Sequence, residues 1–250
     1  MQGNIKLTAK QQEILCLSDG KHVVVAPPGT GKTELLSRRM LHAIDEGIAP
    51  DSILCITFTN RASKNMRDRI GDLSARQVFV GTIHTFCYKF LLQKRIIPWS
   101  TALLDEEDAY QILTDAVAFV KCDLAIRGEV IRIEDVAHYI TEANKFALKI
   151  GSNFEPHNRS LVLEKIKFYY EKIKAESCAI DFDDVLHLTL VALRSPSARS
   201  PSKFKWIQVD EVQDLSPIQW GILSCLAAED AHLTFFGDYD QSIYSFMGAS

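Results

Sequence analysis

The sequence predicts an α/β protein built on a parallel β-sheet that carries an inserted helical subdomain. Two observations predict the sheet: short, fully apolar segments recur along the chain, and segments with helical periodicity separate them. Strands that are covered by helices on both faces have this continuous apolar character. The insertion is predicted because residues 100–177 have a mostly helical pattern and no convincing buried strand.

The predicted strands and helices alternate through the first hundred residues. Strands are predicted at the apolar segments 22–26, 52–59, 78–86, 206–211 and 233–238. Helical patterns at 33–47 and 60–70 follow the first two of them. Because consecutive strands are separated by helices, the strands are expected to run parallel.

Composition limits the classes of protein that the chain can belong to. The 28 basic and 32 acidic residues give a net charge of −4, which excludes a globally basic nucleic-acid coat but not a local basic groove. No apolar run approaches the roughly 20 residues that span a bilayer, and the N-terminus lacks the apolar part of a secretory signal. The six cysteines are scattered singly, without metal-ligand spacing, which indicates reduced thiols in a cytoplasmic protein.

A glycine-rich loop follows the first predicted strand and opens a helix. Gly29 and Gly31 allow backbone N–H groups to turn towards a phosphate, Lys32 can reach the outer phosphates, and the Thr33 hydroxyl can bind Mg²⁺. The strict G-x-x-x-x-G-K-[ST] pattern would have glycine where Ala26 stands. The residues predicted to bind nucleotide here are Ala26, Pro27, Pro28, Gly29, Thr30, Gly31, Lys32, Thr33 and Glu34.

Two carboxylates end the predicted strand at 206–211. Asp210 and Glu211 are adjacent, so one can hold the shell of Mg²⁺ while the other orients or deprotonates a water molecule. An isolated Asp-Glu pair is more often a solvated surface feature. In a chain that also has a phosphate loop, the pair is the expected partner of that loop.

A third polar segment follows the last predicted strand. The amide of Gln241 could sense a γ-phosphate, and Tyr244 and Phe246 offer aromatic faces on which bases could stack. The alternative is that these two aromatic residues belong to the core. Their spacing alone favours the core interpretation.

These motifs, in this order, resemble those of the UvrD/Rep-type superfamily 1 DNA helicases. The matching segments are 7–15 (Q motif), 26–33 (motif I), 56–70 (motif Ia), 81–91 (motif Ib), 181–186, 209–214 (motif II) and 237–249 (motif III). The resemblance implies a RecA-like P-loop ATPase domain, called 1A, over residues 1–95 and 178–250. It also implies an inserted helical subdomain, called 1B, over residues 96–177.

The resemblance also implies a function, ATP hydrolysis coupled to translocation along single-stranded DNA and to unwinding. Lys32 would contact the phosphates of ATP, and Thr33 and Asp210 would hold Mg²⁺. Glu211 would activate the attacking water, and Gln241 would report the γ-phosphate to the DNA groove. The residues implied to line that groove are Thr57, Phe58, Thr59, Asn60, Thr82, His84, Tyr244 and Phe246.

Three assignments have structural alternatives. Gln11 is the adenine-reading glutamine by resemblance, but Thr8 and Gln11 also form a capping box, S/T-x-x-E/Q, in which the glutamine bonds to the backbone. The basic segment 145–175 either contacts DNA or is a solvated helix face. His84 is interpreted as a histidine at a strand end without a metal partner, and its role at DNA follows from the resemblance alone.

Three departures from the family pattern bear on activity. Glu34 stands where the family usually has arginine, and Phe246-Met247 stands where it usually has Trp-Arg. The family's C-terminal motor domain, a further part of the same polypeptide, is not among the 250 residues. The alternative function is therefore a nucleotide-binding regulatory or scaffold module without productive turnover.

Overall fold

The computed structural model describes residues 7–17, 19–27, 29–70, 77–126, 158–195 and 204–238. The chain divides into two compact units. The first unit joins Met1–Phe90 to Leu188–Ser250, and the second is the continuous segment Leu91–His187. None of the helices in the described parts of the chain is long and apolar enough to cross a membrane.

Eight helices and seven strands occur within the described residues. In chain order they are α1 (Ala9–Leu15), β1 (Lys21–Val25), α2 (Lys32–Asp45), β2 (Ile53–Ile56), α3 (Asn60–Ile70), β3 (Phe79–Gly81), α4 (Ile83–Gln93), β4 (Ala102–Leu103), α5 (Glu106–Ile126), α6 (Asn158–Glu176), β5 (Ala179–Ile180), α7 (Phe182–Arg194), β6 (Phe204–Val209), α8 (Pro217–Leu226) and β7 (Ala227–Gly237).

The first unit is built on a five-stranded sheet in the order β1-β7-β6-β2-β3. Every neighbouring pair is parallel, and β6 aligns with β2 so that Val209 lies opposite Ile56. Strands β6 and β7, which come last in the chain, lie between β1 and β2 in the sheet. The predicted α/β class with a parallel central sheet is confirmed.

Apolar side chains from the strands and from α2 make the core of this unit. Leu36 and Met40 on α2 pack with Ile53, Trp206 and Phe236 from three different strands, and all five are buried. Helix α2 has its apolar residues on one side, as a helix packed on a sheet requires. The helix that follows the glycine loop is therefore fixed directly against the sheet.

The predicted strand at 78–86 is too long. Strand β3 ends at Gly81 and α4 begins at Ile83. The Thr82 hydroxyl accepts a hydrogen bond from the backbone N–H of Thr85 (3.2 Å), as an N-cap side chain does. His84 therefore lies in the first turn of a helix, and its interpretation as a histidine at a strand end is wrong.

The second unit is mainly helical in its described part. Helices α5 and α6 bury Leu113, Val117, Val120 and Ile166 between them. A two-stranded parallel pair, β4 with β5, also occurs there and was not predicted. Each of these strands has only two residues, too few to show the period by which a strand is recognised in sequence.

A buried lysine joins α6 to the start of α7. The side chain of Lys174 is 3% exposed, and its Nζ lies 2.8 Å from Asp181 Oδ2 and 2.7 Å from Asp184 Oδ2. Tyr170 donates a further hydrogen bond to Asp181 (2.8 Å). Burial by itself would raise the pKa of Asp181, but the hydrogen bonds from Lys174 and from the Asp184 backbone hold that pKa below its ordinary value. The segment 181–186 thus has a structural function in this unit.

We expect Lys174→Met to destabilise the protein by about 3 kcal/mol, because it leaves two partly buried carboxylates without their cation. The matched control is Lys172→Met, since Lys172 makes only an exposed pair with Glu176 at 3.8 Å. That control should change the free energy of unfolding by less than about 0.5 kcal/mol. Urea unfolding of both variants measures the difference, and equal stabilities would contradict the role given to Lys174.

Candidate functional site

The carboxyl ends of the parallel strands place several polar segments at one edge of the sheet. The residues that directly follow strands β1, β2, β3, β6 and β7 are Ala26, Thr57, Thr82, Asp210 and Asp238. Backbone hydrogen bonds continue beyond the strands, from Ala26 N to Gly237 O (3.0 Å) and from Asp210 N to Ile56 O (2.9 Å). In open α/β sheets, ligands bind at this edge.

The glycine loop forms the centre of the site. Gly29 and Gly31 have φ angles of +76° and +80°, which side chains other than glycine rarely adopt. The Thr30 hydroxyl donates to Pro27 O (2.7 Å), and Gly31 is the N-cap residue of α2. A loop of this shape and a helix N-terminus together attract an anion. Pro28 lies outside the described residues.

Lys32, the first residue of α2, forms an ion pair with Glu211. Its Nζ lies 2.8 Å from Glu211 Oε1, and both side chains are partly buried. Glu211 has a φ angle of +51°, in the left-handed region that residues other than glycine seldom occupy. The structure thus joins two predicted site residues that are 179 positions apart in the chain.

Asp210 is a buried carboxylate at the same place. Burial, and next the charge of Glu211, raise the pKa of Asp210 to about 6, although Lys32 opposes the shift. Among the described residues, Oδ1 of Asp210 and Oδ1 of Asp214 are buried and have no hydrogen-bond partner. Carboxylate oxygens without a partner are the ligands that a hard divalent cation prefers, so this donor set fits Mg²⁺.

Gln213 forms a hydrogen bond with the second carboxylate oxygen of Glu211, a role that no motif in the sequence predicts. Its Nε2 donates to Glu211 Oε2 (2.9 Å), and its Oε1 accepts from the backbone N–H of Asp238 (3.2 Å). The carboxylate of Glu211 is therefore fixed by Lys32 on one oxygen and by Gln213 on the other. The only indication in the sequence is the position of this glutamine two residues after Glu211.

Gln11 combines a cap with a contact to the loop. Its Oε1 accepts from Thr8 N (2.9 Å) and the Thr8 hydroxyl accepts from Gln11 N (3.3 Å), so the capping box is present. Its Nε2 is directed elsewhere and donates to Thr30 O (3.0 Å) in the glycine loop. The side chain thus binds its own helix and the loop together, and its contact with adenine stays a prediction.

Glu34 is held by two arginines. Its Oε1 lies 2.6 Å from Arg38 Nε on the same helix, and its Oε2 accepts a hydrogen bond from Arg69 on α3. The negative charge at this position is therefore neutralised within the protein. The pair with Arg69 also connects the helix that begins at the loop to the helix that begins at Asn60.

The residues predicted to line a DNA groove differ in exposure. The Phe58 side chain is 40% exposed, and Thr59 and Asn60 beside it are also exposed. Thr57 is 1% exposed, and its hydroxyl bonds with Ser63 at 2.7 Å, so its side chain supports the turn from inside and cannot line a groove in this structure.

Two further residues of the predicted groove belong to the start of α4, and the rest are not described. Thr82 caps α4, and burial lowers the pKa of His84 in its first turn. The remaining groove residues, Tyr244 and Phe246, lie outside the described residues, as do Met247 and Gln241, the residue predicted to sense the γ-phosphate.

The basic segment 145–175 is only partly described. Lys165 pairs with Asp123 (2.9 Å), Lys172 pairs with Glu176, and Lys174 is buried. The interpretation of the whole segment as a single face, either solvated or bound to DNA, is therefore wrong for Lys174. Residues 145–157, with Lys145 and Lys149, lie outside the described residues.

Fold and site together define a class. A parallel sheet, a glycine loop that follows β1 and opens a helix, and acidic residues at the end of β6, which β7 separates from β1, constitute a RecA-like P-loop domain. The family model for the UvrD/REP helicase N-terminal domain matches residues 7–250, and the chain belongs to this family.

Individual relatives agree with the family model. The chain is 28% identical over 256 residues to the ATP-dependent DNA helicase PcrA of Bacillus subtilis, covering 97% of this chain and 34% of PcrA. It is 26% identical over 264 residues to the putative ATP-dependent DNA helicase YjcD of the same organism, with 99% and 34% covered. For PcrA of Staphylococcus epidermidis the identity is 29% over 255 residues, with 97% and 34% covered. The chain thus spans about a third of the length of these relatives.

Gly237→Ala should destabilise the first unit by about 1–3 kcal/mol, because the new Cβ would lie 2.7 Å from Gln213 Oε1 and 2.8 Å from Val212 Cγ1. Gly221→Ala is the control, since its Cβ would meet Leu190 Cδ1 at an ordinary 3.4 Å within a helix. Thermal unfolding compares the two variants. A stable Gly237→Ala protein would show that Gln213 does not pack against this strand end.

Asp210→Asn should stabilise the protein by about 1–3 kcal/mol at pH 8 in the absence of nucleotide and divalent cations. The raised pKa of about 6 means that ionised Asp210 opposes folding above that pH. The gain should shrink as pH falls from 6 and vanish below the ordinary value of 3.8, where both forms are neutral. Urea unfolding from pH 4 to 8 measures it, with exposed Asp68→Asn as control. A gain that is independent of pH would contradict this account.

Proposed function

We propose that the chain is the ATP-binding N-terminal motor domain of an ATP-dependent DNA helicase. The observation that carries the proposal is the ion pair between Lys32 of the glycine loop and Glu211 at the end of β6. It supports the proposal because a phosphate-binding lysine and a water-activating carboxylate must act on the same γ-phosphate. Family membership and the names of the relatives agree with it.

The contacts of Lys32 support a sequence of events at the site. In this structure the charge of Lys32 is neutralised by Glu211 at 2.8 Å. Phosphate oxygens of ATP that enter the loop would attract the same ammonium group and withdraw it from Glu211. Glu211 would remain attached to Gln213 and be able to accept a proton from the attacking water.

Asp210 and Thr33 are the residues that would hold Mg²⁺, with the unpartnered oxygen of Asp210 as its protein carboxylate. When bound, the ion neutralises charge on the phosphate oxygens. The raised pKa of Asp210 supports this assignment, because a nearby cation would stabilise its ionised form. Asp214, whose Oδ1 is also unpartnered and whose carboxyl is affected by the charges of Glu211 and Lys32, would be a further residue for the water shell of the ion.

The two units correspond in our proposal to the family's 1A and 1B domains. Phe58, Thr59 and Asn60 follow β2 at the same sheet edge as the glycine loop and are exposed. An exposed aromatic ring flanked by hydroxyl and amide groups suits a single strand, whose bases stack on the ring. The intact polypeptide would translocate along single-stranded DNA and unwind partly duplex DNA.

The second candidate is a nucleotide-binding regulatory or scaffold module without turnover. The observation that favours it is Glu34, a carboxylate next to Thr33 that forms ion pairs with Arg38 and Arg69. Both candidates require ATP to bind. They differ in the activity of the intact polypeptide. A helicase hydrolyses ATP in the presence of DNA and loses this activity in Glu211→Gln, whereas a module without turnover shows no DNA-stimulated hydrolysis even as the wild type.

Lys32→Ala should weaken ATP binding by about 10- to 150-fold, the loss expected for a charge-assisted contact of about 1.5–3 kcal/mol. The exposed Lys64→Ala on α3 serves as control and should bind ATP as the wild type does. Titration calorimetry gives the affinities, and circular dichroism shows that both variants are folded. An unchanged affinity in folded Lys32→Ala would refute the assignment of the phosphate loop.

Phe58→Ala should weaken binding of single-stranded oligonucleotides by about 5- to 150-fold, corresponding to about 1–3 kcal/mol for a stacked base. Phe168→Ala is the matched control, because this ring on α6 is 63% exposed and lies in the second unit. Fluorescence anisotropy at low salt measures both. Equal losses in the two variants would show that stacking is not specific to the strand-end position.

A further inference from the structure

Arg39 is a buried arginine on the helix that begins at the glycine loop. It is 0% exposed, and its guanidinium is directed at the carbonyl groups that end α1. Nη1 donates to Ile14 O and to Leu15 O (3.2 Å), and Nη2 donates to Leu17 O (2.8 Å). These carbonyls lie at the negative end of α1 and have few other backbone partners, so a cation is favourable there.

The other side of the guanidinium is held by the sheet. Nη2 also donates to Thr234 Oγ1 (2.8 Å), and the Trp206 ring lies 4.8 Å from the guanidinium carbon. Burial lowers the pKa of Arg39 to about 10, which leaves the group charged at neutral pH. A buried charge requires hydrogen bonds, and Arg39 obtains them from α1 and β7 at once.

Helix α1 depends on such attachments. It has only seven residues, and none of them is buried. Ile14 and Leu15 contribute partly buried apolar contacts to the core cluster. A helix of two turns is marginal without tertiary contacts, so its position follows from what holds its ends.

The opposite end of α1 touches the site. Gln11 Nε2 donates to Thr30 O (3.0 Å), and a Cβ added at Gly31 would lie 3.5 Å from the same nitrogen. Helix α1 is therefore attached at its start to the glycine loop and at its end to Arg39. Both attachments lead to α2, which begins directly after that loop.

We propose that Arg39 is a positioning residue for the nucleotide site, which fixes α1 so that Gln11 lies at the glycine loop and can contact the base end of a bound nucleoside triphosphate. This inference rests on the proposed function, since it requires that the loop binds a nucleotide. The hydrogen bonds of Arg39 go to the end of α1 and to β7, and none goes to the glycine loop. Arg39 acts through α1. Loss of its hydrogen bonds weakens recognition of the base and leaves the affinity for the phosphates unchanged.

The planar fork of arginine is required for this role. Its donors reach three carbonyls and one hydroxyl in different directions, whereas a lysine ammonium is a compact group with three donors. Arg39→Lys keeps the charge and the approximate volume but cannot make all of these bonds. It is therefore the variant of choice, with Gln11→Ala, the double variant, and Met40→Leu as a core control on the same helix.

The experiment measures the affinities of ATP and of inorganic tripolyphosphate for each variant by titration calorimetry. Hydrogen exchange of the amides of residues 9–15 is followed by mass spectrometry on the same proteins. Arg39→Lys should lower the ATP affinity by about 3- to 10-fold, the loss of one neutral hydrogen bond, and leave tripolyphosphate within about 2-fold. Gln11→Ala should give the same pattern and the double variant no further loss. Exchange should accelerate in α1 for Arg39→Lys and remain unchanged for Met40→Leu.

Several outcomes would overturn the inference. An equal loss of affinity for ATP and tripolyphosphate in Arg39→Lys would show a merely structural role. An unchanged ratio of the ATP affinity to the tripolyphosphate affinity in Gln11→Ala would show that α1 does not reach the base. If Arg39→Lys fails to fold, Thr234→Val removes one acceptor of the guanidinium and should shift the ratio in the same direction. Failure of the wild type to bind either ligand would refute the proposed function itself, and the inference with it.

Discussion

The common direction of the five strands is the constraint on which the candidate site depends. Because all of them run parallel, the segments after β1, β2, β6 and β7 emerge at one edge, and residues from opposite ends of the chain become neighbours. Lys32 and Glu211 meet at 2.8 Å because β1 and β6 run in the same direction and only β7 lies between them. An antiparallel β6 would carry Glu211 to the far edge of the sheet and leave Lys32 without its partner.

Buried cations organise the surroundings of this edge and of the second unit in two different ways. Arg39 is neutralised by carbonyl groups and a hydroxyl, which supply partial charges, so it connects α1 to α2 without a carboxylate. Lys174 is neutralised by Asp181 and Asp184, full charges that fix α6 to the start of α7. In both cases two helices are held together because a buried charge requires hydrogen bonds.

Several predictions made from the sequence were wrong or incomplete. The apolar segment at 78–86 has the composition of a strand, yet Thr82 caps a helix within it and His84 lies in the first turn of that helix. The family resemblance implied that Thr57 lines the DNA groove, but its side chain is buried and its hydroxyl bonds inward to Ser63. Arg38 follows Glu34 by four residues on the same helix, a spacing that indicates an ion pair, but Arg69 could not be identified from sequence as a partner because α3 reaches α2 only in the folded chain.

The sequence by itself determined the parallel α/β sheet, the glycine loop and the capping box of Gln11. Each of these follows from residues within a few positions of one another, whose backbone preferences and apolar periodicity act locally. Only the tertiary structure decided that Nε2 of Gln11 donates to Thr30 O. It also decided that Gln213 bonds both to the carboxylate of Glu211 and to the backbone N–H of Asp238. The contact between Gln213 and Asp238 depends on the strand order, which places β6 beside β7, and the contact of Gln11 depends on how α1 packs beside the loop; no local pattern encodes either arrangement.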